Sequence, residues 1–496
     1  AVSWLSTDIL AIGAEKIEAF IAAEPGLAPH AHSLRNILRA APHTLSPEGE
    51  RIMAAVGALR ADPEQIYELA VNADIPWPTV TLADASAATL DQAGYARHRQ
   101  SANRADRKAV FDAFWATYGA YSDSLGAALF AEVKGNVFNA RMRGHASALS
   151  AALFEDNLPD GVYRTLVAEV NAGLPVLHRY FKLRRRVLGI DDALRYYDVY
   201  PPMFSLEKAF PLAETKALTL AAVAPLGADY VARLDAAQNA RWMHVYPAPG
   251  KRGGAYMNGS AYDAHPFILL NHNDDYDSLT TYAHEWGHGL HSLLASAAQP
   301  FETARYATFT AEIAAIVNEF LLNDAMAAKA ETKQEKLFYL GEALESIRAT
   351  MFRQVLFAEF ELAIHEAVEK GEALTGAKMT DIYCGILKRY HGHDRGVMTI
   401  DDAYCAEWAF VPHFYYDFYV FQYATSMAAA AYFADEVRKS EAPRERYLDL
   451  LRAGGSDYAE KIVKRAGLDM QSAAPYRAVI ARMDRLIGEI ETLLAE

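Results

Sequence analysis

LTTYAHEWGHGLH, residues 279–291, is the stretch on which the reading of this chain turns. It contains His284-Glu285-Trp286-Gly287-His288. On a helix, positions i and i+4 lie on one face about a turn apart. Two imidazoles so placed bind one Zn²⁺ at about 2.0–2.1 Å. Glu285, beside the first of them, then reaches a metal-bound water as general base. Asp275, Asp277 and Ser278 stand just upstream as caps for such a helix.

A catalytic zinc takes three protein ligands and keeps one position open. His291 repeats the helical spacing, but seven residues along a helix is about 10.5 Å of rise, too long for one ion to span. It reads as a packed histidine. Leu294 stands where a three-histidine continuation of the motif needs another His. The next source is a second helix over about Thr308–Asp324, TFTAEIAAIVNEFLLND, in which Ile313, Ile316, Val317, Phe320 and Leu321 follow the i, i+3, i+4, i+7 pattern. Glu312 and Glu319, seven apart, both lie at the edge of that buried stripe. A carboxylate there needs a partner, and a metal supplies one to either.

Two further segments frame the motif. Trp408–Ser426, WAFVPHFYYDFYVFQYATS, carries His413 and tyrosines at 415, 416, 419 and 423. Aromatic density of this kind is mostly core, and Tyr419 and Phe421 are assigned there. Tyr416 and Tyr423, seven apart, share a face if the stretch is helical, and a tyrosine hydroxyl near zinc donates to a developing oxyanion. His265–His272, HPFILLNH, precedes the motif as an apolar strand, an edge to which an extended peptide can pair. Gly253-Gly254 lets backbone approach a ligand closely.

Helical periodicity dominates elsewhere, over 46–60, 105–136, 160–186, 334–370 and 474–494. Strand-like stretches are few: Thr79–Leu82, Trp242–Tyr246 and His265–His272. The expected fold is mostly α, a large helical body with one small β-sheet beside the zinc-binding helix. Ala83–Ala88 reads as a turn, and Pro247–Gly254 as an irregular loop. Asp198–Ser205, with Pro201 and Pro202, divides an N-terminal helical part, 1–200, from a catalytic part, 201–496.

Composition agrees with a soluble globular protein. The chain has 496 residues, 48 Lys+Arg against 63 Asp+Glu, a net charge of −15, 52% hydrophobic and 22% charged residues. That excludes a disordered or fibrous chain. The acidic balance, with a sequence pI near 5.6, argues against nucleic acid or an anionic membrane as partner. No apolar run reaches the roughly 18 residues of a membrane span. Ala428–Phe433 comes nearest and is bounded by Asp435 and Glu436. Two cysteines, Cys384 and Cys405, exclude a disulfide framework and fit a reducing cytoplasm. Charges at Asp8, Glu15, Lys16, Glu18 and Glu24 do not read as a signal peptide.

Taken in order, VYPAPGKRGGAY, HPFILLN, HEWGH, TAEIAAIVNEF and PHFYYDFYVFQYATS, spread over residues 240–430, resemble the oligoendopeptidase F branch of the thimet oligopeptidase family of zinc peptidases. The resemblance implies a helical shell split by a deep channel with zinc on its floor, open to short unstructured peptides. It assigns one zinc per chain to His284, His288 and Glu312, the first glutamate of AEIAAIVNE rather than Glu319. It makes Glu285 the base and Tyr416 and Tyr423 the transition-state donors, with His413 beside them. It also starts the family's N-terminal helical region upstream of Ala1. The expected activity is zinc-dependent hydrolysis of internal bonds in short peptides. The alternative is a zinc carboxypeptidase or dipeptidyl carboxypeptidase on a similar shell, with Lys251 and Arg252 holding the substrate's C-terminal carboxylate. Retention of two histidines, the base and Glu312 argues against a peptide-binding protein without catalysis.

Overall fold

The Asp275 carboxylate accepts a hydrogen bond from the Ser278 amide at 2.8 Å and caps the helix Tyr276–Ala298, which carries the motif. The computed structural model describes residues 3–496; the first two residues of the N-terminal part lie outside the described range. Helices dominate throughout, as the periodicity requires. The predicted segment 105–136 is two helices, Arg104–Ala120 and Ser122–Met142, and 160–186 is likewise broken at Gly173.

Two small sheets are present where one was expected. In the first, β1 (Thr79–Thr81) pairs antiparallel with β2 (Ala87–Thr89); the turn expected at Ala83–Ala88 occupies residues 82–86, with Ala85 at φ 67, and its last two residues belong to β2. The second has the order β3 (Met243–His244), β5 (Phe267–Leu269), β4 (Tyr256–Asn258). β3 runs parallel to β5 and β4 antiparallel to it. The apolar strand predicted at His265–His272 is therefore central, and β4, too short to show a period in the sequence, is the free edge beside the motif helix. The Ile268 and Leu270 amides donate to Trp242 and His244 of the β3 side at 2.9 Å. Phe267 and Leu269 consequently face Asn258 and Tyr256, and the intervening Met257 turns its amide and carbonyl outward.

The motif helix crosses the helix Thr308–Lys329, here the glutamate helix, at very short range. A Cβ on Gly287 would stand 2.5 Å from Ala315 Cα and 2.6 Å from the Ala314 carbonyl oxygen. The Asn318 amide donates to the Ala283 carbonyl at 3.1 Å across the same crossing. The glutamate helix packs in turn along Phe421–Glu436, the tyrosine helix, whose Ala424, Ala428, Ala429, Ala430 and Ala434 are buried. Ala428–Phe433 is thus core, and no helix among the described residues is long and apolar enough to cross a membrane. Most buried side chains from Tyr67 to Ile490 form one contiguous cluster, and a smaller second one, with Phe210, Tyr276, Leu279 and Leu322, sits at the start of the motif helix.

Cys384 and Cys405 are joined to each other, their Cα atoms 4.9 Å apart. One pair is not a disulfide framework, but the sequence reading did not place the two cysteines together. A separation of 21 residues hid a pair of Cα atoms within disulfide range.

Candidate metal centre and active site

Three ligand atoms converge between the motif and glutamate helices. His284 Nε2 and His288 Nε2 are 3.2 Å apart, and Glu312 Oε2 lies 3.5 Å from the first and 3.6 Å from the second. A tetrahedral ion with bonds of about 2.0–2.1 Å sets its ligand atoms about 3.4 Å apart, so this triangle matches a zinc site with its fourth position free. The three side chains are only partly shielded, with 26%, 13% and 27% of their surface exposed.

The glutamate helix presents both acids that its pattern singled out, and they meet different atoms. Glu312 faces the two Nε2 atoms, whereas Glu319, two turns on, accepts from His284 Nδ1–H at 2.5 Å. A carboxylate behind a ligating imidazole fixes its tautomer and ring plane and raises its basicity. His288 is held by a backbone hydrogen bond at Ala311. The pattern on the glutamate helix gave no means of dividing the two roles.

The charges fit a cation. Burial works against a proton on His284, yet Glu319, Glu312 and Glu285 outweigh it and raise the group to about 9. For His288 burial dominates and, followed by His284, lowers it to about 3, the Ala311 backbone pulling the other way. Burial pushes Glu285 up to about 7; His284 pulls the other way, and Glu312 and Glu319 add to the rise. Glu285 is 6% exposed, accepts from the Met257 amide, and its Oε2 has no protein partner. The base candidate therefore abuts the free edge of β4.

His291 is buried and stacked on Tyr306, ring centroids 3.6 Å apart, with neither nitrogen paired. It takes no part in the triangle.

The aromatic segment departs from the helix on which its spacing was read. Pro412–Tyr415 is a 3₁₀ turn, and the tyrosine helix begins only at Phe421. His413 and Tyr423 nevertheless meet, Tyr423 Oη lying 3.4 Å from His413 Nε2. Burial raises the Tyr423 hydroxyl, Tyr419 adds to this, and Glu312 contributes, so the hydroxyl lies within the field of the metal-site carboxylate. Tyr416 is 42% exposed and its hydroxyl feels Glu64 and Glu68 of the helix Asp62–Leu69. Tyr419, assigned to the core, belongs instead to this cluster: its ring stacks on His413 at 6.0 Å and meets Tyr423 edge-on at 5.5 Å. Phe421 is buried as expected.

Two cavities of about 310 Å³ each flank the motif helix. One is lined by Asp277, Thr280, Glu319 and Phe320, the other by Met257, Gly259, Ser292 and Tyr306. Lys251, a candidate grip for a substrate carboxylate, donates to the carbonyls of Tyr246 (2.8 Å), His244 (3.1 Å) and Leu270.

Comparison with known proteins gives one consistent answer. Residues 97–482 match the family model described as Peptidase family M3, and residues 8–76 the one described as Oligopeptidase F. The chain is 36% identical over 496 residues to oligopeptidase PepF of Bacillus subtilis (strain 168), covering 100% of this chain and 73% of that protein. It is 35% identical to group B oligopeptidase PepB of Streptococcus agalactiae, covering 100% of this chain and 82% of that protein. The crystal structure of oligoendopeptidase-F from Enterococcus faecium superposes with a TM-score of 0.82 at 30% identity, over 100% of this chain and 83% of that one.

Proposed function

The chain belongs to peptidase family M3, in its oligoendopeptidase F branch, and on that premise we propose the division of labour within a zinc metalloendopeptidase that cuts internal bonds of short unstructured peptides. His284, His288 and Glu312 hold one zinc ion per chain. The observation that carries this assignment is the triangle of 3.2, 3.5 and 3.6 Å between their ligand atoms. When bound, the zinc supplies a Lewis acid that acidifies water and polarises a peptide carbonyl.

The remaining chemistry belongs to side chains of this chain. Glu319 holds His284 in the tautomer that leaves Nε2 free to ligate. A substrate strand lies along β4 and pairs with the outward carbonyl of Met257, whose amide is turned to Glu285, which lays the substrate backbone beside Glu285. Glu285 takes the proton of the attacking water and returns it to the leaving amine. Tyr423, with His413 at its hydroxyl, donates to the oxyanion of the tetrahedral stage, and Tyr416 enters from the rim of the same cluster.

The occupied ammonium of Lys251 favours this reading over a carboxypeptidase, because three backbone carbonyls already take its protons. The test is hydrolysis of an internally quenched peptide of about ten residues, with products read by mass and Glu285→Gln run alongside. Internal cuts by the wild type alone, with zinc retained by both proteins, are the expected result. Stepwise loss of residues from the C-terminus would instead establish the exopeptidase.

A further inference from the structure

Between the 3₁₀ turn and the tyrosine helix the backbone does something costly. Asp417 and Phe418 stand at φ 46 and φ 61, in the left-handed region that side-chain-bearing residues avoid. Six non-glycine residues among those described have positive φ, and only these two are adjacent. Such a pair persists only where its surroundings over-determine it.

The surroundings are specific. The Phe418 ring is 1% exposed and sits between Tyr163 and His365, at 5.7 and 4.4 Å. Its amide donates to Glu361 Oε1 at 2.8 Å. Glu361 projects from the helix Arg353–Glu369, is 0% exposed, makes no salt bridge, and leaves Oε2 without a partner. Burial holds its carboxyl well above the usual carboxylate range; the Phe418 amide pulls the other way, and Asp417 and Glu132 add to the rise. A carboxyl buried in this way costs far more than the leucine that would fill the same space. What it supplies is one acceptor at the strained turn.

That turn aims the aromatic cluster. Tyr416 precedes the left-handed pair and Tyr419 follows it, and both rings pack on His413. We propose that Glu361 is a positioning residue for peptide hydrolysis: by accepting the Phe418 amide it locks the left-handed pair and thereby sets where Tyr416 and Tyr419 stand against His413 and Tyr423. The role rests on the tyrosine assignment made above.

Three variants test it. Glu361→Gln keeps an acceptor in the neutral form that burial already enforces, and its kcat is expected within about threefold of wild type. Glu361→Leu keeps the volume without the acceptor, and its kcat is expected to fall at least tenfold, with KM within twofold and zinc content unchanged. Adding Asp417→Gly to Glu361→Leu relaxes the left-handed requirement and is expected to recover at least threefold in kcat. If Glu361→Leu fails to fold, Glu361→Met is held to the same criteria. Wild-type kcat in the apolar variant, or equal losses in the Gln and Leu variants, would overturn the proposal. Tyr416→Phe and Tyr423→Phe serve as controls. Silence in both would remove the assignment beneath the proposal, whereas losses there beside an unaffected Glu361→Leu overturn the positioning role alone.

Discussion

Glu312 and Glu319 sit two turns apart on one helix face and meet opposite nitrogens of the same imidazole, Nε2 at 3.5 Å and Nδ1 at 2.5 Å. Removing either is therefore expected to weaken zinc binding by different amounts. Glu312→Ala deletes a ligand and should abolish stoichiometric zinc. Glu319→Ala frees only the ring orientation of His284 and should weaken binding about 10- to 100-fold, read by competition with a chelator. Equal losses would mean that both carboxylates ligate. The tyrosines separate in the same manner. Tyr423, within the field of Glu312, should lose about 100-fold in kcat as Tyr423→Phe. Tyr416→Phe, at an exposed position facing Glu64 and Glu68, should lose less in the same steady-state assay. At this scale the motif itself was legible, because i, i+4 geometry is local. The partner of each nitrogen was not, because seven-residue spacing puts both glutamates on one face and only the crossing of two helices assigns them.

At the scale of the element, the crossing is set by an absence of side chain at Gly287. A methyl there would press on Ala315 Cα and the Ala314 carbonyl, both backbone, at 2.5 and 2.6 Å. Neither can give way by rotating. Gly287→Ala is expected to part the two helices, lowering zinc affinity along with the thermal midpoint, although alanine is the better helix former by about 1 kcal/mol. A midpoint that rises with full zinc occupancy would show that the helices have room. The strands and turns tell how far elements could be read in advance. Helices of ten residues or more repeat their period often enough to be recognised. β4 has three residues and no period to show, yet it supplies the free edge. The 416/423 spacing gives a shared face only on a helix, and the left-handed pair at Asp417 and Phe418 breaks it; Asp tolerates that conformation, but nothing in Phe signals it.

Over the whole molecule, stability ought to carry the signature of histidines buried without charge. His391 lies between Phe181 and Tyr196, and burial lowers it to about 4 against 6.5 when solvated. Between those values the unfolded chain binds a proton that the folded one does not, so stability rises with pH across that window and is lost as pH falls from 6.5 towards 4. The contribution reaches about 3 kcal/mol at the acid end. His391→Phe, which keeps the ring stack, should show a shallower fall of stability over pH 6.5 to 4 in denaturant titrations; an unchanged slope would mean that the folded protein protonates His391 readily. The sequence alone determined the α-rich class, the HExxH helix with its Asp275 cap, and the short set of residues from which a zinc site could be built. All of these follow from spacings within one element, where covalent geometry fixes what faces what. The family resemblance had already preferred Glu312 to Glu319; only the tertiary structure showed which imidazole nitrogen each glutamate meets, that β4 rather than β5 is the edge beside the motif helix, that the two cysteines meet, and that a buried Glu361 accepts the Phe418 amide. Each of those depends on contacts between elements far apart in the chain, and no local period encodes the distance across which they pack.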